Sequence, residues 1–286
     1  MIEEIGFPGR VGVIGGGRMG GGIAHAFLLA GSEVAVIERD EAAAAAARDR
    51  IAGSVRRSVE RGAEGVDEAE ALGRLETAAG YEALASAQLV VEAVFEDFRV
   101  KADALRRAEA STAAGTVLAS NTSSISLGEL SAALSRPADF LGLHFFNPVP
   151  VSALVEVVIA PGTSRALAES APEWVRRLGK TPVVVRDAPG FASSRLGVAL
   201  ALEAMRMVEE GVASPEDIDA AMELGYRHPS GPLRTTDIVG LDVRLGIAEY
   251  LAAQLGDRFE PPRILREKVA RGELGKKSGR GFYDWA

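Results

Sequence analysis

The sequence predicts an α/β protein: a doubly wound sheet followed by a small all-helical C-terminal domain. Three observations carry this. Short apolar runs alternate with helix-favouring stretches up to Asp187, which is the pattern of parallel strands joined by crossover helices. The first of those runs leads into a glycine-rich turn. After Asp187 no strand pattern appears. The boundary is therefore placed there, giving domains 1–187 and 188–286.

The elements follow in order. Arg10 to Gly17, RVGVIGGG, is a short strand running into glycines, and Ser32 to Asp40 is a second strand. Ala42 to Arg61 is rich in alanine and arginine and favours helix. AQLVVEAV, GTVLAS and DFLGLHFF read as buried strands, with a helix over Phe98 to Ala110 between the first two. LVEVVIA and TPVVVRD are further β-rich runs. The helical part opens with a stretch from Pro189 to Gly211, a proline start and a glycine stop. Ser214 caps the next helix, Pro215 takes its first position and Gly225 ends it. Leu233 to Leu255 and Pro261 to Arg271 read as two more.

The turn VIGGGRMGGGIAHAF places Gly15, Gly17 and Gly20 in the G-x-G-x-x-G pattern between a strand and a helix, the Rossmann-type arrangement. The first glycine allows the turn, the second lets backbone approach a pyrophosphate, and the third lets helix pack on strand. Unpaired N–H groups at the helix start then hold the phosphates. Glu38, at the end of the second strand, suits both ribose hydroxyls of an adenosine and repels a 2′-phosphate, so NAD is expected over NADP. Arg39 beside it is the residue that would receive that phosphate if Glu38 turned away.

Bulk composition excludes several classes. A chain of 286 residues with 47% hydrophobic and 25% charged residues is ordinary for a globular protein. It has no cysteine, hence no disulfide, thiol nucleophile or thiolate metal site. No cluster has metal-ligand spacing, so no metal is expected. The net charge of −8 disfavours nucleic acid as a partner. The N-terminal run MIEEIGFPGR does not read as a signal peptide, and no apolar run approaches a membrane span. A cytoplasmic protein with no membrane partner is expected.

His144, one of three histidines, lies at the end of the strand DFLGLHFF, and Glu156 lies in the next β segment after the turn NPVPVS. A hairpin-like geometry would bring the two together. A carboxylate on one imidazole nitrogen fixes the tautomer and leaves the other nitrogen to take a proton from a hydroxyl. On the residues alone, His144 could equally be a hydrogen-bonded core histidine. His25 and His228 read as structural.

The segments VIGGGRMGGGIA, VVEAVFEDFRVK, LASNTSSIS, GLHFFNPVPVSALVEVV, GKTPVVVRDAPGF and GKKSGRGFYDW resemble the L-3-hydroxyacyl-CoA dehydrogenase family, collinearly from about Arg10 to Trp285. The resemblance implies a two-domain enzyme. It implies hydride transfer between C3 of a 3-hydroxyacyl thioester and NAD, with an acyl-CoA partner, and homodimerisation through the helical domain. It assigns His144 as acid/base, Glu156 as the group that orients it, and Ser123 as a donor near the substrate oxygen and thioester. By the same resemblance Glu96, Lys101 and Asn147 line the ribose and nicotinamide side, Met19 belongs to the cofactor-binding turn, and Lys277 reaches back to the cofactor. Ser54 and Arg61 align with CoA contacts, on a helix that also carries Arg48, Arg50, Arg56 and Arg57. Guanidinium forks suit CoA phosphates. A solvated face with salt bridges to Asp49 and Glu60 is the alternative.

Two positions depart from the family pattern. Ser194 stands in PGFASSR where Asn is frequent near the reacting oxygen, and a bridging water would restore the reach. Ser230 stands in HPSGPL where Met is usual, which bears on acyl length. Two other functions fit the same residues: action on a thioester held by an acyl carrier protein, or a non-catalytic NAD-binding structural protein. The Ser123, His144 and Glu156 set argues against the second.

Overall fold

A computed structural model describes residues 5–63 and 65–285. The chain divides into two compact units, residues 1–187 and residues 188–286.

The first unit begins with β1 (Arg10–Ile14), α1 (Arg18–Leu29), β2 (Glu33–Ile37), α2 (Glu41–Glu60), α3 (Glu68–Gly73) and β3 (Leu75–Ala78). It continues with β4 (Leu89–Glu92), α4 (Phe98–Ser111), β5 (Val117–Ser120) and α5 (Leu127–Ser131). Then come β6 (Phe140–Phe145), β7 (Leu154–Ile159), α6 (Arg165–Arg177) and β8 (Thr181–Arg186). The strands form one sheet in the order β3-β2-β1-β4-β5-β6-β7-β8. All pairings are parallel except β6 with β7, which is antiparallel. The order reverses between β1 and β4, so the crevice at their C-terminal ends is where an α/β sheet receives ligands. Strand β3 was not anticipated; its run LETA is too short and too polar to signal a strand.

Helix α2 shows why these residues fold this way. Asp40 caps it by accepting from Ala43 N–H, and Ala44, Ala47, Ile51 and Val55 recur on one face and bury it. That face joins Val13, Ile23, Phe27 and Val36 in the core of this unit. Full burial of each Ile or Val stabilises by about 1.5–3 kcal/mol.

The second unit holds α7 (Ser193–Glu209), α8 (Pro215–Tyr226), α9 (Pro232–Val239), α10 (Leu241–Leu255) and α11 (Arg263–Ala270). Val198, Leu202, Met205, Ile218, Leu233, Leu251 and Leu265 form its core. Three expectations are corrected. The helix expected from Pro189 starts at Ser193, because Gly190 (φ +74°) and Phe191 (φ +50°) turn the chain first. The stretch Leu233 to Leu255 is two helices, broken at Gly240, whose φ of +109° no helix accommodates. Helix α8 passes through Gly225 and stops at Arg227, which takes the left-handed cap. Ser214 does cap α8, accepting from Asp217 N–H, with Pro215 at its start.

Candidate active site

The glycine turn lies at the C-terminal end of β1. Gly15 has φ +90° and a Cβ there would meet Ala93 O at 3.0 Å; a Cβ on Gly20 would meet Gly15 O at 1.7 Å. Both positions therefore demand glycine. Gly17, by contrast, faces open space. It starts α1 with no side-chain cap and no acidic residue in the first turn, leaving the helix N–H groups for an anion. Met19 packs partly buried against the core from that first turn.

Glu38 follows β2, and its Oε1 accepts from Gly16 N–H at 2.8 Å, so the carboxylate hangs over the turn. Arg39 directs its Nε to Asp40 Oδ2 at 3.1 Å and lines the same cavity as Glu38. A cavity of about 300 Å³ opens beside Glu38, walled by Ile14, Ile37, Val94 and Val100. Arg107 lies over the Tyr81 ring at its rim. Uncapped helix N–H groups, an acceptor at the strand end and an apolar slot beside it fit the pyrophosphate, ribose and adenine of a dinucleotide.

His144 is brought to Glu156 by the strand register. The two stand directly opposite in the antiparallel β6–β7 pair, with Nδ1 2.8 Å from Glu156 Oε2. Both side chains are buried, at 5% and 0% exposure. On the other side of the ring, Nε2 lies 3.1 Å from Ser123 Oγ. The Phe146 ring covers the imidazole at 4.5 Å between centroids. Ser123 sits in the turn after β5, beside β6 in the sheet. Asn121, in the same turn, accepts from Phe145 N–H at 2.8 Å and ties it to the end of β6.

Glu96 gathers that turn. Its Oε1 accepts from Thr122 Oγ1 at 2.5 Å, Ser123 N–H at 2.9 Å, and Ser124 N–H and Oγ at 3.1 Å each. Burial works to raise its pKa, but the Lys101 ammonium and the Thr122 and Ser123 hydrogen bonds outweigh it and hold Glu96 below the usual carboxylate range. Lys101 is only 1% exposed. Its Nζ is 2.8 Å from Glu92 Oε1 and 3.2 Å from Glu96 Oε2. It is enclosed, so it bears on the site through Glu96.

The other expected positions are placed as follows. Asn147 is exposed in the turn after β6, before a cis bond to Pro148. Ser194 is half-buried in the first turn of α7, and Ser230 lies in the loop before α9. Lys277 pairs with Asp242 at 2.6 Å within its own unit. Its segment GKKSGRGFYDW is held by packing: buried Asp237 accepts from Phe282 N–H, Tyr283 N–H and Trp285 Nε1. His25 is buried in α1 with Nε2 2.8 Å from Ser58 Oγ, a packing role.

The α2 arginines divide. Arg48 donates to Leu75 O and Arg50 to Gly16 O, while Arg56 pairs with Glu68. Among the described residues no salt bridge joins these arginines to Asp49 or Glu60, the pairing of the alternative reading. Among the described residues Arg57 and Arg61 have no acidic partner, and Ser54 accepts from Arg57 at 3.0 Å. Sequence reasoning missed Glu92, Asn121, Tyr81 and Arg107; the first two stand in strand-end motifs that look like ordinary β sequence. Among the described residues no group of acidic or histidine side chains could hold a metal ion, and no helix is long and apolar enough to cross a membrane.

Comparison with known proteins finds relatives along nearly the whole chain. A family model described as the 3-hydroxyacyl-CoA dehydrogenase NAD binding domain matches residues 10–188, and one for the C-terminal domain of the same enzymes matches residues 190–285. A 3-hydroxybutyryl-CoA dehydrogenase of Mycobacterium tuberculosis is 45% identical over 282 residues, covering 96% of this chain and 98% of its own. A probable 3-hydroxybutyryl-CoA dehydrogenase of Deinococcus radiodurans is 41% identical over 277 residues, covering 96% and 100%. The crystal structure of an (S)-3-hydroxybutyryl-CoA dehydrogenase from Ralstonia eutropha matches with a TM-score of 0.93 at 37% identity, covering 98% and 99%.

Proposed function

The chain belongs to the 3-hydroxyacyl-CoA dehydrogenase family, and on that premise we propose that it oxidises L-3-hydroxyacyl-CoA to 3-oxoacyl-CoA, reversibly, with NAD. The observation that carries this is the line Ser123 Oγ, His144 Nε2, His144 Nδ1, Glu156 Oε2, with contacts of 3.1 and 2.8 Å at the ligand-binding end of the sheet. NAD⁺, when bound, supplies the acceptor for the hydride that leaves C3.

The residues of the chain do the rest. Gly15, Gly17, Met19 and Gly20 shape the phosphate turn, and Glu38 takes the adenosine ribose. His144 Nε2 removes the proton from the 3-hydroxyl, with Ser123 Oγ placed to share the oxygen. Glu156, fixed opposite by the strand register, holds the imidazole orientation and stabilises the cation that forms. General-base help of this kind contributes roughly 10²–10⁴ in rate. Glu96, Lys101 and Asn147 serve the ribose and nicotinamide side, with Lys101 acting through Glu96, and Lys277 serves the cofactor. Ser194 aids orientation of the substrate oxygen. Arg57 and Arg61, with Ser54, receive the CoA phosphates. The helical unit exposes Leu196, Leu224, Tyr226, Ile238 and Val243, and homodimerisation through it would cover apolar side chains of this kind.

The test is turnover of acetoacetyl-CoA with NADH. His144→Ala is expected to lower kcat about a hundredfold or more. Near-wild-type turnover in that variant removes His144 from its role and the reading with it.

A further inference from the structure

Beneath the turn that carries Ser123 lie buried polar side chains that the reaction does not touch. Glu92, Lys101, Ser120 and Thr122 are exposed by 0%, 1%, 0% and 1%. Glu92, the last residue of β4, is their hub. Its Oε1 accepts from Lys101 Nζ at 2.8 Å and from Val94 N–H at 2.7 Å, and its Oε2 accepts from Ser120 Oγ at 2.7 Å.

Two routes leave Glu92 and meet again. Through Oε2, Ser120 is oriented so that its Oγ accepts from Thr122 N–H at 3.2 Å. Through Oε1, Lys101 is held where its ammonium meets Glu96 Oε2 at 3.2 Å, and Glu96 Oε1 then collects Thr122, Ser123 and Ser124. Both end on the turn whose Ser123 Oγ stands 3.1 Å from His144 Nε2. A buried ion pair is weak evidence of stabilisation, since desolvation offsets much of the attraction. What it does supply is geometry: each oxygen of Glu92 has one arrangement that satisfies every donor around it.

We propose that Glu92 is a positioning residue of the active site, fixing the Thr122–Ser124 turn from two sides so that the Ser123 hydroxyl faces His144. This rests on the assignment of Ser123 to the reacting oxygen. Glu92 is fully buried, so it acts on the site through this turn.

The test is a double-mutant cycle of Glu92→Gln with Ser123→Ala, read by kcat for acetoacetyl-CoA and KM for NADH, alongside amide hydrogen exchange. Glu92→Gln is expected to lower kcat about tenfold or more with KM for NADH within about threefold. In the Ser123→Ala background the same change lowers kcat by less than about threefold, because the group being positioned is gone. Exchange at the Ser123 and Ser124 amides quickens about tenfold in Glu92→Gln, while the Phe145 amide, bonded to Asn121, keeps its rate. Equal losses in both backgrounds, or unchanged exchange at Ser123, overturn the proposal. If Glu92→Gln does not fold, Glu92→Asp, which keeps the charge and draws the carboxylate back by one methylene, enters the same cycle. Wild-type protein that turns over no 3-hydroxyacyl thioester overturns the functional reading; the exchange measurement then still decides the positioning role.

Discussion

Replacing Glu156 by Gln isolates what the carboxylate does for His144. The side chain keeps its volume, and its carbonyl oxygen accepts from Nδ1 as Oε2 does now at 2.8 Å. The strand register, with His144 opposite Glu156, is set by backbone and stays. Only the charge is lost. For unit charges about 4 Å apart at an effective dielectric near 20, the attraction between carboxylate and imidazolium is about 4 kcal/mol. The surviving neutral hydrogen bond retains about 1 kcal/mol of this. The net loss of about 2–3 kcal/mol falls on the state in which His144 carries the proton. It lowers kcat for 3-hydroxybutyryl-CoA oxidation roughly 30- to 150-fold. KM for the thioester stays within about threefold, since the lost attraction acts only once the proton has been taken from the 3-hydroxyl. The assay is initial-rate NADH formation with a thermal melt as the folding control. A Glu156→Gln enzyme with kcat within about threefold of wild type would refute the reasoning, because the carboxylate would then not be supporting the cation.

Acid should destabilise the fold through His25. Burial foremost, with the nearby Lys180 and Arg57 charges, lowers its pKa to about 4 from 6.5. The ring is neutral in the native state, and the unfolded chain takes up the proton first. Stability is therefore full above about pH 6.5 and falls toward pH 4, by up to roughly 3 kcal/mol. Urea unfolding at stepped pH should show this slope in wild type and a flatter one in His25→Gln; identical slopes would sink the assignment. Gly20→Ala places a methyl 1.7 Å from Gly15 O, so the turn must open. Fluorescence titration should show NADH affinity about tenfold weaker or worse, alongside a lower melting temperature; unchanged NADH binding would contradict the steric argument.

What was legible in the sequence is what local chain chemistry decides. The glycine turn, the acidic end of β2, the cap of α8 and the burying face of α2 each follow from neighbouring residues. The His144–Glu156 pair was legible for the same reason: a short connection between two β segments folds back on itself, and the register follows. The helix breaks at Gly190–Phe191 and Gly240 were missed because glycine in a helical pattern does not announce a positive φ.

Tertiary structure alone decided the surroundings of that pair. Ser123 reaches His144 only because β5 and β6 lie side by side. Glu92, Lys101 and Glu96 form one network because β4 and α4 bury an ammonium between two carboxylates. A string of acidic and basic residues does not say which of them will be enclosed. Arg48 and Arg50 looked the same as Arg57 and Arg61, yet the first two bond to backbone carbonyls of β3 and the glycine turn. Periodicity and turn chemistry act over a few residues; the partner of a buried charge is set by which distant strands the parallel crossovers bring together.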